Sequence, residues 1–245
     1  MLFYCIYQYI IIMFAILYLC KNIFLKSNEN FTGEVLDFLK DLTIIVVIVL
    51  VIRTFFVMPF QINGQSMYES YYDKEFIIVD RFSYFMKKPI AWDVIVFKPH
   101  VNEKKEYFLK RIIGVEGDTV RIEDGLVSVK RAGEEEFVLL DEQYLSKSNS
   151  GSTFVRIADK AIEYTVPAGS YFVMWDNRNH STDSRDCFSS CSFDNATNYI
   201  KDSDITGKVL LDLGYFSFTK FSFQHPNLGI DTTPRFFNSP KTYDY

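Results

Sequence analysis

Two apolar runs within the first 60 residues constrain this chain more than any other feature: "LFYCIYQYIIIMFAILYLC" (2–20) and "LTIIVVIVLVIRTFFVMPF" (42–60). A membrane-crossing helix needs ~20 such residues to span ~30 Å of hydrocarbon at ~1.5 Å per residue. In the first run only Gln8 is strongly polar. A cleavable signal peptide competes for it, but no Lys or Arg precedes the run and no small-x-small site follows it. Arg53 interrupts the second run close enough to its end to snorkel, and Pro59 closes it. The pattern predicts membrane helices over 1–20 and 42–60 joined by a loop at 21–41. That loop carries Lys21, Lys26 and Lys40. The positive-inside rule then puts it in the cytoplasm and both chain ends outside.

Beyond Pro59 the pattern switches to short alternating runs between turn residues. "EFIIVDRF", "WDVIVFKP", "YFLKRIIGV", "DTVRIEDGLVSVKR", "EYTVPAGSYFVMWD" and "ITGKVLLDLGY" read as strands, with "EDG" and "PAG" as hairpin-type turns. The 24 Phe and 16 Tyr suit a β domain and a membrane interface. "SKSNSGS" (146–152) reads as a polar loop, and the tail from about residue 220, with Pro226, Pro234 and Pro240, as irregular. A net charge of −5 leaves no basic footprint for nucleic acid. The expected fold class is therefore mainly β: two N-terminal transmembrane helices, then an antiparallel β domain over 61–245.

The cysteines divide by position. Cys5 and Cys20 lie in the first apolar run, whereas Cys187 and Cys191 sit in "RDCFSSCSF". Without a second pair or clustered His, metal binding is disfavoured, and a local disulfide fits an extracytoplasmic domain better. No cofactor or metal is called for.

Chemistry concentrates near "FQINGQSMYES" (60–70), where Ser66 follows the second apolar run by a few residues. Peptide hydrolysis by serine needs a general base and an oxyanion donor. His100, His180 and His225 lie in no recognisable nucleophilic arrangement. A lysine serves instead if burial keeps it neutral. Moving it from its reference pKa of ~10.4 to about 8 costs roughly 3 kcal/mol. Strand alternation in "YFLKRIIGV" puts Lys110 on one face with Phe108 and Ile112, and Arg111 on the other. Taken singly, Ser66 also reads as an ordinary turn serine and Lys110 as a snorkelling strand lysine, so both readings stay open on those residues alone.

Four ordered blocks carry a resemblance. "RTFFVMPFQINGQSM", "KKPIAWDVIVFKP", "YFLKRIIGVEGDTV" and "WDNRNHSTDSR" (175–185) resemble, in order, the blocks of the bacterial type I signal peptidases. That family comprises membrane-bound Ser/Lys proteases that remove signal peptides from exported proteins. The resemblance runs from about residue 42 to 213. It implies Ser66 as nucleophile, Lys110 as general base and Ser181 as the hydroxyl that orients the lysine. It also implies a supporting ion pair between Asp183 and Arg185, with Asp176, Asn177, Arg178 and Ser184 as scaffold of the same block. The family fold is a β domain with a smaller β insertion, which residues 123–170 fit. Small residues precede the cut in family substrates, so shallow apolar pockets near Met67 are expected. The implied setting is the plasma membrane, with the catalytic domain outside. Preproteins and the lipid bilayer are the implied partners, and the secretion translocon a candidate one.

The sequence departs from the family in several places. Gly64 stands where some relatives carry a hydroxyl residue that donates to the oxyanion, leaving more of that task to backbone N–H groups, notably that of Ser66. Trp92 and Trp175 stand where the family usually has Gly before Asp. Glu69-Ser70 replaces a common Pro-Thr pair, and Glu116 a frequent Pro. Two rivals are weighed against this reading. A soluble repressor-type Ser/Lys autoprotease lacks the apolar runs and the 175–185 block. A non-catalytic β domain binding exported chains would have no use for Ser66, Lys110 and Ser181 together.

Overall fold

The computed structural model describes residues 31–68, 70–99, 106–155, 162–178, 182–189, 197–217, 220–225 and 234–236. Two compact units divide at Phe55/Phe56. The first contributes helix α1 (Phe31–Phe55). Its residues Leu36, Leu39, Ile44, Ile45, Val47, Ile48, Leu50, Val51 and Ile52 are all exposed, so apolar side chains cover the helix on every side.

This helix corrects the expected 42–60 span at both ends. It starts within the stretch read as a loop and stops at Phe55, and strand β1 (Val57–Gln61) follows. Proline explains the stop: Pro59 has no N–H to give a helix and disfavours helical backbone in the residue before it. Among the described residues no helix is long and apolar enough to cross a membrane. Lys40, Asp41 and Arg53 bracket the uncharged stretch 42–52, which covers only about 16 Å as a helix. The first apolar run, expected as helix 1–20, lies outside the described residues.

The second unit is antiparallel β throughout its named pairings. Its larger sheet joins β1, β2 (Phe76–Asp80), β3 (Val94–Phe97), β4 (Phe108–Gly114), β9 (Ser170–Met174), β10 (Ile200–Lys201), β11 (Ile205–Gly214) and β12 (Arg235–Phe236). The order is β1-β2-β11-β3-β4-β9-β10, with β12 also on β11. Pro59 therefore sits on an edge strand, where its missing N–H breaks no ladder. The central strands β3 and β9 are buried along their whole length, which matches their unbroken apolar runs "VIVF" and "SYFVM". A short helix, α2 (Ser83–Met86), follows β2. The tail expected to be irregular returns β12 to the sheet, Leu211 facing Phe236 and Asp212 facing Arg235.

The smaller sheet has the order β7-β6-β5-β8, from β5 (Thr119–Glu123), β6 (Leu126–Lys130), β7 (Val138–Leu139) and β8 (Ile162–Thr165). Its strands run from 119 to 165 and so overlap the 123–170 segment that the resemblance implies as an insertion. Asp124 and Gly125, with φ of 51° and 80°, form the two-residue turn between β5 and β6. That is the turn type "EDG" predicts, because both central residues need positive φ. Val120, Ile122, Val127, Val129 and Tyr164 pack beneath this sheet against Ile113, Phe172 and Met174 of the larger one. A second cluster gathers Ile62, Met67, Tyr71, Ile77, Val79, Val94 and Val96, and a third Ile95, Phe97, Ile112, Tyr171, Val173 and Phe188.

Candidate active site

Strand β4 presents two cations in opposite directions, as period-two alternation dictates. Lys110 is 1% and Arg111 0% exposed. Lys110 lies opposite Ile95 of β3, and its Nζ sits 4.8 Å from the Phe108 ring centre and 3.6 Å from that of Trp175. Its one hydrogen bond among the described residues is donated to the Leu109 carbonyl at 3.1 Å. Burial therefore pulls the Lys110 pKa well below the ordinary lysine value, and the Asp183 carboxylate only partly opposes it.

Arg111 takes the other side. Its Nε and Nη2 donate to the two carboxylate oxygens of Asp176 at 2.8 and 2.5 Å, and Nη1 donates to the Trp92 carbonyl at 3.2 Å. Burial works against its charge, but Asp176 holds it charged and raises its pKa on balance. Strand alternation assigns Arg111 a direction but no partner. The alternation was readable, but the carboxylate it meets lies 65 residues away.

Ser66 lies in a turn between β1 and β2 and is half-buried. Asn177 fastens this turn twice: its backbone N–H donates to the Ser66 carbonyl at 3.0 Å and its side-chain Nδ2 to the Gln65 carbonyl at 3.0 Å. The Tyr71 N–H closes the next turn onto the Met67 carbonyl at 2.8 Å. Met67, expected beside substrate pockets, is 1% exposed and belongs to the core cluster of Ile62, Tyr71 and Ile77. Its unbranched thioether side chain anchors the turn from below instead of lining an open wall. Gly64 has a φ of 108°, a region that side-chain-bearing residues rarely adopt, and its N–H donates to Asp73 Oδ1 at 2.7 Å. Among the described residues the Ser66 N–H makes no hydrogen bond.

The segment after β9 joins these parts. Trp175 lies against Lys110, Asp176 pairs with Arg111, and Asn177 holds the Ser66 turn. Arg178, buried, donates through Nη2 to Glu142 and Tyr144 at 2.5 and 2.7 Å, linking the segment to the insertion. Asn149 Nδ2, also from the insertion, reaches Asn177 Oδ1 at 3.4 Å. Arg185 grips Asp183 through Nε and Nη2 at 2.9 Å each, and its Nη groups also donate to the Phe154 and Arg178 carbonyls. Ser184 Oγ accepts from the Val173 N–H at 2.9 Å, fixing this turn to β9. Burial and Asp183 push the neighbouring Tyr164 hydroxyl up to about 12. Ser181 lies outside the described residues, as does Cys191; Cys187 is disulfide-bonded.

The residues at Ser66 and Lys110 are thus both tied to one four-residue segment, although no hydrogen bond links Ser66 to Lys110 Nζ. This segment therefore holds both a turn serine whose N–H makes no hydrogen bond among the described residues and a lysine amine buried among apolar groups. Among the described residues no His/Cys/Asp/Glu group could hold a metal ion.

Comparison with known proteins supplies a family. The family model described as "Signal peptidase, peptidase S26" matches residues 35–213. Signal peptidase I of Pseudomonas aeruginosa is 35% identical over 165 residues, covering 56% of this chain and 58% of that protein. Signal peptidase I S of Bacillus subtilis is 31% identical over 163 residues, covering 65% of this chain and 83% of that protein. A crystal structure of a signal peptidase I from Enterococcus faecalis V583 is 27% identical, with 50% of this chain and 97% of that one covered at a TM-score of 0.35. The match over residues 35–213 takes in β1 through β11 together with Ser66, Lys110 and the 175–178 segment, and the chain belongs to the signal peptidase family, peptidase S26.

Proposed function

We propose that this chain is a membrane-bound serine endopeptidase that removes N-terminal signal peptides from exported preproteins, with Ser66 as nucleophile and Lys110 as general base. One observation carries the reading: a lysine 1% exposed among apolar groups, beside the segment that fastens the only turn serine of the "GQSM" stretch. A solvated lysine is protonated at neutral pH and accepts nothing, whereas a desolvated one can.

In this mechanism Ser66 Oγ attacks the scissile carbonyl as its proton passes to Lys110 Nζ. The Ser66 N–H, without a hydrogen bond among the described residues, donates to the developing oxyanion. Gly64 contributes no second donor, because it has no side chain and its N–H is engaged by Asp73. Lys110 then gives its proton to the leaving amine, the signal peptide stays esterified to Ser66, and water hydrolyses the ester by the same route. The Asp183–Arg185 and Arg111–Asp176 pairs hold the surrounding segments in register.

The membrane part of the reading is supported by the apolar run at 2–20 and by exposed apolar side chains on α1. Exposed Phe82, Phe85, Met86 and Ile90 beside Lys87 and Lys88 add an interfacial surface to the β unit. The catalytic domain would then face outward, with Ser66 at most about 23 Å of extended chain from Pro59.

The test is cleavage of a preprotein carrying a small-x-small site by the full chain in detergent. Ser66→Ala and Lys110→Met are each expected to abolish cleavage without loss of fold, and unimpaired cleavage by either variant refutes the dyad. Activity is also expected to rise with pH as Lys110 loses its proton and to level off below the ordinary lysine value of ~10.4, because burial lowers the midpoint. A flat profile between about pH 6 and 10 refutes a lysine base.

A further inference from the structure

Trp175 stands where a small residue is usual in the family, and its indole lies face-on to the amine of Lys110 at 3.6 Å from ring centre to Nζ. Three observations show what the ring contributes. Its backbone is not in the positive-φ region, unlike Trp92 with φ of 75°, so a side chain costs no backbone strain there. Its Nε1 is buried with no hydrogen-bond partner among the described residues. An orphaned buried donor costs stability instead of adding any, so the ring is not held in place by its polar edge. Its backbone N–H donates to Asp183 Oδ2 at 3.2 Å, which pins the residue next to the one carboxylate that acts on Lys110. What remains is the ring face and its bulk, and both are applied to Nζ.

We propose that Trp175 is a positioning residue for Lys110: its indole face confines the amino group between the ring, the Phe108 ring and the Leu109 carbonyl, and shuts water out. The inference rests on the reading of Lys110 as general base. Two effects of the ring oppose each other. Excluding water favours the neutral amine. The electron-rich face favours the protonated amine, most strongly when the pair is desolvated. Other charges near Lys110 are already engaged: Asp183 with Arg185, and Arg111 with Asp176 on the opposite strand face.

The opposing effects make the substitutions separable. Trp175→Leu keeps apolar bulk and removes the ring face, so the Lys110 midpoint falls. Trp175→Gly admits water, so the midpoint rises toward ~10.4 by about a unit or more. Trp175→Phe keeps a face and most of the bulk, and restores the wild-type midpoint to within about 0.3 unit.

The midpoint is read directly by NMR titration of carbon-labelled lysine in the full-length Ser66→Ala protein, with Lys110→Met assigning the signal. The pH profile of kcat/KM is measured in parallel with Ser66 intact. Opposite shifts in Leu and Gly, with rescue by Phe, are the expected result. Shifts in the same direction, or none beyond about 0.3 unit in either variant, overturn the proposal. If the directly titrated midpoint moves while the pH profile stays put, Trp175 does position Lys110 and it is the general-base assignment that falls.

Discussion

A buried lysine held below its ordinary pKa is a liability to the fold, and this gives a prediction with a sign. Lys110 is 1% exposed and its folded-state pKa lies well below the ordinary value, mainly because burial penalises the charge. Between that lowered value and ~10.4, the unfolded chain binds a proton at this lysine that the folded chain does not. Stability therefore rises with pH through the window, at about 1.4 kcal/mol per unit for one proton. Lys110→Met removes the term while keeping an unbranched side chain of similar length. It forfeits the bond to the Leu109 carbonyl, worth about 1 kcal/mol. Within the window the variant is expected to gain on the parent by about 1.4 kcal/mol for each pH unit below ~10.4, less the lost hydrogen bond. The advantage grows as pH falls toward the native midpoint and vanishes near pH ~10. Urea unfolding of the full chain in detergent, followed through its two tryptophans from pH 6.5 upward, reads this directly. A stability difference that does not change with pH, or that widens as pH rises, refutes the claim that Lys110 is neutral in the fold.

The Arg111–Asp176 pair gives the opposite outcome. Asp176→Asn strands a cation that is 0% exposed and is expected to cost about 3–5 kcal/mol in urea melts. Replacing both residues by apolar ones recovers most of the loss, and a double variant as weak as the two singles combined argues against the pairing. Asn177→Ala removes one of the two bonds that fasten the Ser66 turn and leaves the backbone one. It is expected to lower kcat about tenfold without moving the pH midpoint, because it loosens the nucleophile and does not touch Lys110; an unchanged kcat counts against that role. Phe85→Ser with Met86→Ser, at side chains 73% and 74% exposed, is expected to weaken flotation of the detergent-free chain with anionic vesicles while sparing the melting temperature. Equal flotation removes this surface from the membrane reading.

What was legible in the sequence were features set by nearest neighbours. The alternation in "YFLKRIIGV" put Lys110 and Arg111 on opposite faces, and the structure has them so. "EDG" called for two positive-φ residues, and Asp124 and Gly125 supply them. Trp92, standing where the resembling family usually has glycine, sits at a φ of 75°. Hydropathy was less reliable where a local rule opposed it. The run at 42–60 is apolar to its end, yet Pro59 converts its last residues into an edge strand. Met67 likewise belongs to the core by virtue of a cluster its immediate neighbours do not reveal.

The site depends on what the sequence could not supply, namely which distant residues each side chain of one short segment would meet. Trp175, Asp176, Asn177 and Arg178 follow a strand but are no longer constrained to alternate, so four consecutive side chains reach four destinations: the amine, the buried guanidinium, the serine turn and the insertion. A motif reads such a segment as a single block of identities. Physically it is a junction in which the spacing between Ser66 and Lys110 is set by backbone that belongs to neither. Substitutions there should therefore alter chemistry and stability separately, according to which of the four partners is lost. A change at Asp176 acts on the buried guanidinium, one at Asn177 on the Ser66 turn, and one at Trp175 on the Lys110 amine, even though the three residues are adjacent in the chain.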